Sequence, residues 1–291
     1  MDGLLIVDKP CGITSHDVVH RLRKITAERS IGHLGTLDPL ATGVLPLLLG
    51  RYTRLARFFG AREKEYSGRI CFGVATDTYD SMGAVTSETQ NTSVDPERLQ
   101  ALVAGFRGRI KQVPPAFSAK KIGGVPAHRL ARKGQPPMMR PVSIDVHEFS
   151  LRLLDPKTAE FHVTLSAGGY VRSLVHDLGK SLGCGAHLTE LRRLRAGEFT
   201  AEMAVPLEQL ENNSPENTVA LPLLASRAVL AELPAVTVSP DIAARFRQGL
   251  PTNLPQFSGA PYVRVFGAAD TFIAIARRLA STLFAPDCVI G

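Results

Sequence analysis

Apolar residues along the chain recur with two different periods. Leu4 to Val7 form a short continuous run closed by Lys9-Pro10 and Gly12, the pattern of a buried strand followed by a turn. Val18, Val19, Leu22 and Ile25 follow with helical spacing. Thr14 or Ser15 can cap that helix, and Asp17 stands favourably in its first turn. Residues 44–49 are again continuously apolar. A basic amphipathic segment follows around Leu55 to Phe59, and strand-like stretches lie near 65–74 and 109–113. Val142, Ile144 and Val146 alternate in one phase and Phe149, Leu151 and Leu153 in the other, which predicts a bulge near His147-Glu148. Ala159, Phe161, Val163 and Leu165 keep a clean period of two, so one face of that strand is buried. Gly168-Gly169 breaks it. Val171, Leu174, Val175, Leu178 and Leu182 then resume helical spacing, which places Tyr170 and Arg172 at a strand-to-helix junction.

The pattern changes near residue 196. Residues 196–226 hold five glutamates and no Lys or Arg, with Pro206, Pro215 and Pro222, and are expected to wrap the first domain's edge or join it to the next. From about 236, Pro240, Gly249, Pro251 and Pro255 separate short elements, and Tyr262–Phe266 and Phe272–Ala276 read as strands of a compact all-β module. A chain of 291 residues suits one large domain plus a small one. Its longest apolar runs, 44–49 and 220–225, fall far short of the roughly 18–20 residues of a membrane span. Neither a signal nor a transit peptide is visible. Cys11, Cys71, Cys184 and Cys288 form no CxxC pair, so a cytoplasmic, reducing location is expected.

Charge sharpens the division. The net charge of +7 arises from +10 over residues 1–195 and −3 over residues 196–291, and Arg outnumbers Lys 25 to 9. The basic clusters include Arg51, Arg54, Arg57, Arg62 and Lys64; Lys120 and Lys121; Arg129, Arg132 and Lys133; and Arg192, Arg193 and Arg195. A planar guanidinium grips phosphate through two parallel hydrogen bonds, so this balance fits a polyanionic partner; a solvated basic surface fits the composition equally well.

Familiar motifs fail on inspection. His16-Asp17-Val18-Val19-His20 spaces two imidazoles like a zinc-protease helix, but no third ligand follows. Ser118 to Lys121 matches SxxK without the partner motifs of serine acyl transferases. No P-loop or GxGxxG occurs. The most unusual segment is GHLGTLDPLATG at 32–43, in which three glycines permit close backbone approach and Pro39 limits how Asp38 can point. Taken alone, Asp38 can equally be an Asx-turn or cap residue.

That loop, with DKPCGITS at 8–15, KEYSGRICFG at 64–73, PPAFSAKKIGG at 114–124, GGYVRSLVHDLG at 168–179 and GAHLTELRRL at 185–194, closely resembles the bacterial tRNA pseudouridine-55 synthase B family, collinearly over roughly residues 3–200. The resemblance implies an α/β (α+β) pseudouridine synthase fold over about 1–230, a mixed and largely antiparallel sheet flanked by helices. A small β-rich, PUA-like RNA-binding domain would follow at 236–291. It implies isomerisation of the T-loop uridine at tRNA position 55, without metal or cofactor, by a monomer that binds tRNA and no membrane. By resemblance Asp38 is the catalytic aspartate, Arg172 its partner, and Tyr66 the active-site tyrosine that stacks on an everted uracil and assists proton transfer. Tyr170 positions the base, and His33 inserts into the RNA in place of extruded bases. Lys9, Lys120, Lys121, Arg129, Arg132, Arg192 and Arg193 are expected to grip the RNA. The sequence departs from the family pattern at His128, where tyrosine is common, and at Leu194 and Glu198, all outside the assigned chemistry. A non-catalytic RNA-binding module and a base-excising glycosidase are the rival classes.

Overall fold

The computed structural model describes residues 1–90, 92–212, 221–257 and 259–291. In chain order its elements are β1 (Gly3–Lys9), α1 (Ser15–Thr26), β2 (Ile31–His33), β3 (Thr42–Leu49), β4 (Lys64–Phe72), β5 (Val74–Thr76), β6 (Val85–Glu88), α2 (Pro96–Gly105) and β7 (Gly108–Gln112). Next come the short hairpin β8 (Lys121–Ile122) and β9 (Val125–Pro126), α3 (Ala127–Arg132), β10 (Val142–Asp155), β11 (Thr158–Leu165), α4 (Val171–Leu182), β12 (Ala186–Ala196), β13 (Phe199–Thr200), β14 (Val205–Pro206) and α5 (Leu207–Asn212). The chain ends with β15 (Ala235–Thr237), α6 (Pro240–Arg247), β16 (Thr252–Asn253), β17 (Tyr262–Phe266), β18 (Phe272–Ala280) and β19 (Leu283–Val289).

The large sheet runs β14-β1-β3-β12-β4-β11-β10-β7, with β2 on β3 and β13 on β12. It is mixed and mostly antiparallel; β1 with β14 and β3 with β12 are its parallel pairs. One face carries the helices. Leu5, Val7, Leu45, Leu47, Ile70 and Phe161 pack there with Val18 and Leu22 of α1, Leu99 of α2, Leu174 and Leu178 of α4 and Leu210 of α5. On the other face Leu4, Ile6, Val44 and Leu48 pack against Leu55 and Phe59, and against Phe266, Phe272 and Ile275 of the second sheet. Both faces of β1 are therefore covered, which is why its sequence is continuously apolar rather than alternating.

The second sheet runs β15-β17-β18-β19-β16. A 3-10 helix at Gly50–Phe58 braces it: Arg54 donates to Val289 O at 3.2 Å, Arg57 pairs with Asp287 at 2.9 Å, and Tyr52 meets Phe272 edge-on. Arg264, 6% exposed, donates to the carbonyls of Leu233 and Val229 and so pins the segment that connects the two sheets.

Several sequence expectations hold. Thr14 and Asp17 form a reciprocal capping box at the start of α1. The β10–β11 register shifts between Val146 and Glu148, where the phase change predicts a bulge. The acidic stretch wraps the sheet edge, with Val205 opposite Val7 and Leu224 N–H on Leu4 O; Pro215 and Glu216 of that stretch lie outside the described residues. Other expectations need correction. The loop at 29–43 contains β2. The C-terminal module is not all-β, because Pro240 opens α6 behind Ser239 and the helix buries Ala243 and Phe246 against its sheet.

Gly43 marks the tightest point of the large sheet. It lies opposite Lys9 of β1 and Arg193 of β12, at φ +99°, and a Cβ there would stand 2.2 Å from Arg193 O. Gly43→Ala must push backbone against backbone at a left-handed position. A loss on the order of 3 kcal/mol is expected, read as a melting temperature roughly 6–12 °C lower in a thermal unfolding scan.

Candidate active site

The loop from Leu34 to Ala41 is held almost entirely through its own backbone. Leu37 is buried, and the Ser15 hydroxyl both accepts from Leu37 N–H at 2.8 Å and donates to Leu37 O at 3.1 Å. Gly12 N–H donates to Pro39 O, and Leu34 N–H to Pro46 O. Two cations complete the cradle from below. Arg193, fully buried, donates to Gly35 O, Thr36 O and Val44 O. Lys9, also fully buried, donates to Pro10 O and Ile13 O at 2.8 Å and to Pro39 O at 3.4 Å. With its neighbours fixed on either side, the Asp38 carboxylate has few directions left.

Arg172 comes to it from the first turn of α4. Its Nε donates to one Asp38 oxygen and its Nη2 to the other, both at 2.8 Å, a two-point fork that sets the carboxylate plane. The guanidinium side chain is 4% exposed, whereas that of Asp38 is 30% exposed, so the pair is anchored on the protein side and open on the other. Thr78 O accepts from Nη1 at 2.8 Å, Phe117 O from Nη2 at 2.9 Å, and the buried Asp80 carboxylate lies 3.7 Å from Nε. Sequence reasoning misses Asp80. Its one signal is the polar TDTYD run after a strand, where Asp80 Oδ1 accepts from Thr78 and from Met82 N–H.

The open side of Asp38 faces a cavity of about 530 Å³ lined also by Lys64, Tyr66, Lys120, Tyr170 and Leu191. Tyr66, on β4, is 7% exposed; burial pushes its phenol above the usual tyrosine range, with the nearby Arg193 cation opposing that shift. Tyr170 is the N-cap of α4, and its backbone N–H and C=O are both engaged by the buried Gln112 amide. Burial raises its phenol too. His33 sits at the end of β2 and lines a neighbouring cavity of about 220 Å³ that shares Lys64 with the first. Burial, then Arg193, hold its imidazole below the ordinary histidine range, and its Nδ1 is buried without a partner among the described residues.

The basic residues separate into two groups. The expected RNA contacts by Lys9 and Arg193 are corrected: both are out of solvent and spend their donors on loop carbonyls. Arg192 is partly exposed and forked onto Asp8 at 2.6 and 3.1 Å. Arg51 pairs with Asp2, and Arg62 with Glu198 and Glu232, so the cluster at 51–62 serves the protein's own packing. Lys121, Arg129 and Arg132 are exposed, and none is engaged by an ion pair or side-chain hydrogen bond among the described residues; Lys120 stands at the cavity edge. All four lie on the insertion between β7 and β10. His128 there donates from Nδ1 to Ser118 O at 3.0 Å, tying α3 to the root of that insertion.

The mixed sheet thus carries a forked Asp–Arg pair at a cavity, beside a tyrosine and a basic flap. The family model for the TruB family pseudouridylate synthase N-terminal domain matches residues 23–171, and that for the tRNA pseudouridylate synthase B C-terminal domain matches residues 172–226. A tRNA pseudouridine synthase B of Solibacter usitatus is 42% identical over the whole of both chains. One of Aquifex aeolicus is 42% identical over 91% of this chain and 92% of its own. Among solved structures, a Cbf5-Nop10-Gar1 complex aligns with 26% identity and a TM-score of 0.69 over 96% of this chain and 79% of that one. An H/ACA RNP bound to a substrate RNA containing 2'-deoxyuridine shares the fold, with a TM-score of 0.71 and 24% identity over 99% of this chain and 85% of that one. The chain belongs to the TruB family of pseudouridylate synthases.

Lys9 carries a pH signature of its cradle role. Burial pulls its ammonium from the ordinary 10.5 down to about 8. Between those values the unfolded chain holds a proton that the folded chain does not, so this group's contribution to stability rises with pH across the window. Below it the penalty for a buried charge is fully present, up to about 3 kcal/mol. The melting temperature of wild type relative to Lys9→Met should therefore improve as pH rises from about 8 to 10.5; a flat difference would contradict the assignment.

Proposed function

We propose that this chain isomerises the uridine at position 55 in the T-loop of tRNA to pseudouridine, with Asp38 as the catalytic carboxylate. The observation that carries the reading is the Arg172 fork, which presents an oriented Asp38 at the wall of a cavity large enough for a nucleoside. The reaction breaks the N1–C1′ bond, turns the uracil, forms the C5–C1′ bond and moves the C5 proton elsewhere, N1 finishing protonated. Nothing is gained or lost overall. A carboxylate anion serves either route to bond cleavage, by adding to C1′ or by taking the 2′ proton to leave a glycal. Water must be kept out so that the detached base stays in place, which a cleft walled by Ile144, Tyr66, Tyr170 and Leu191 favours.

Tyr66 would stack on the uracil. A phenol is protonated near neutral pH, and burial pushes this one further that way, so its hydroxyl can donate to the base or relay its proton. Tyr170 would bound the other side. A uridine inside a folded loop must be everted to reach this depth, and the flat imidazole of His33 is suited to fill the space it leaves. Lys120, Lys121, Arg129 and Arg132 would grip the phosphate backbone, and Arg192 would add to it only with the part of its guanidinium that Asp8 leaves in solvent. Residues 236–291 would act as a PUA-like RNA-binding domain beside a catalytic domain of residues 1–230, in a monomer working in the cytoplasm. No helix is long and apolar enough to cross a membrane among the described residues.

Product identity tests the reading. Wild type incubated with unmodified T-arm RNA should yield pseudouridine by chemical labelling and primer extension. Asp38→Asn should lose at least about 10⁴-fold in rate while binding RNA within a few-fold of wild type. Free uracil instead would indicate a glycosidase, and binding without any product an RNA-binding module.

Salt dependence tests the flap. Replacing Lys121, Arg129 and Arg132 by Gln should weaken tRNA binding and reduce the log–log salt slope by about 0.7–0.9 for each phosphate no longer neutralised. The same change at Arg193 should unfold or inactivate the protein rather than alter the slope.

A further inference from the structure

Behind Arg172, on the side away from the cavity, lies a ring pair that the reaction does not itself use. Tyr79 sits in the turn between β5 and β6 at φ +65°, a left-handed conformation that bulky residues rarely adopt. Its ring lies flat on His176, with centroids 3.9 Å apart and planes 16° apart. His176 is one turn beyond Arg172 on α4, so both side chains leave the same face of the helix. The two residues flanking Tyr79 are those that hold the back of the guanidinium. Thr78 O accepts from Nη1 at 2.8 Å, and Asp80 stands 3.7 Å from Nε.

Four of the five guanidinium N–H groups can be assigned: two to Asp38, one to Phe117 O and one to Thr78 O. The plane of the fork is set by these partners together, and that plane in turn sets the Asp38 carboxylate. Thr78 O is aimed at Nη1 by the turn at Tyr79. Main-chain bonds fix the turn's outer side to β12, Leu188 N–H to Tyr79 O and Ser81 N–H to Leu188 O. Its inner side meets α4 through the Tyr79–His176 stack. Among the described residues no hydrogen bond orients the imidazole through its buried Nδ1, and the ring contact with Tyr79 is what the structure shows against it.

We propose that Tyr79 and His176 are a positioning pair, their stack locking the Thr78–Asp80 turn onto α4 so that Arg172 presents Asp38 in its reactive orientation. The inference rests on the reading of Asp38 as the catalytic carboxylate. Because neither residue of the pair is among those lining the cavity, its loss acts on the reaction and leaves RNA affinity in place.

The test measures single-turnover pseudouridine formation, tRNA dissociation constants and melting temperatures for five variants. His176→Ala and Tyr79→Gly remove the stack, the second while keeping a backbone at ease with positive φ. Tyr79→Phe and His176→Phe keep it, and Asp38→Asn is the control. The first two should slow the reaction between about ten- and a hundredfold, as a small misplacement of reacting groups does, with tRNA affinity within about twofold of wild type. Both phenylalanine variants should stay within about threefold of wild type, since a ring suffices. Full rates in Tyr79→Gly, or a loss in His176→Ala that His176→Phe does not restore, would overturn the proposal. Should His176→Ala fail to fold, the comparison of Tyr79→Gly with Tyr79→Phe decides alone. An active Asp38→Asn would sink the underlying reading, whereas an inactive one beside unaffected stack variants would sink only this inference.

Discussion

The guanidinium of Arg172 is almost wholly withdrawn from water, and every group around it is arranged to compensate. A buried charge stripped of its partner typically costs about 3–5 kcal/mol, so Asp38, Asp80, Thr78 O and Phe117 O are as much a requirement of the fold as of the site. With the cation itself they come from four separate places: the 34–41 loop, the β5–β6 turn, the root of the flap and α4. One cation therefore ties together segments that share no strand. The exposed edge of that assembly is the Asp38 carboxylate, which is the part a substrate can reach.

A second constraint lies beneath the loop. Gly43 is flanked in the sheet by Lys9 and Arg193, and its lack of a side chain lets three strands close up where both cations need to face inward. Together these cations donate to six carbonyls between residues 10 and 44. Backbone carbonyls that would otherwise be left unpaired in a tight loop are satisfied from below, and the loop is rigid because its hydrogen bonds are internal. A Gly-rich segment thus becomes a stiff mount rather than a flexible one.

Much of this is legible in the sequence and some is not, for identifiable reasons. Periodicity locates β1, α1, β11 and α4, and the phase change in β10 marks its bulge, because in each case the pattern of burial repeats with the period of the element. β12 escapes such reading: it is central, paired on both sides, and its ELRRLR stretch alternates charges that look solvent-facing although Arg193 points into the core. Helix α6 is hidden by Pro240, which starts the helix instead of breaking it. The site divides similarly. Asp38 and Arg172 are 134 positions apart, and only the family resemblance pairs them; Asp80 lies in a turn with no period to betray it. Lys9 and Arg193 mislead because a sequence shows that a residue is cationic but not where its donors go.

That last point decides how the basic charge should be understood. Much of the arginine excess of the first 195 residues is consumed internally, by Asp2, Asp8, Glu65, Glu232, Asp287 and loop carbonyls. The charge left free is concentrated on the insertion between β7 and β10, and that insertion is rooted in the site. Gln112, the last residue of β7, brackets the peptide of Tyr170, Val113 O accepts from Ser173, and Phe117 O accepts from Arg172. Lys121, Arg129 and Arg132 thus stand on a segment whose base is bonded to the first turn of α4, the turn from which Arg172 forks onto Asp38. Net charge alone says only that the protein is basic; the bonding pattern says which cations are available, and that their segment is rooted on the turn that carries Arg172.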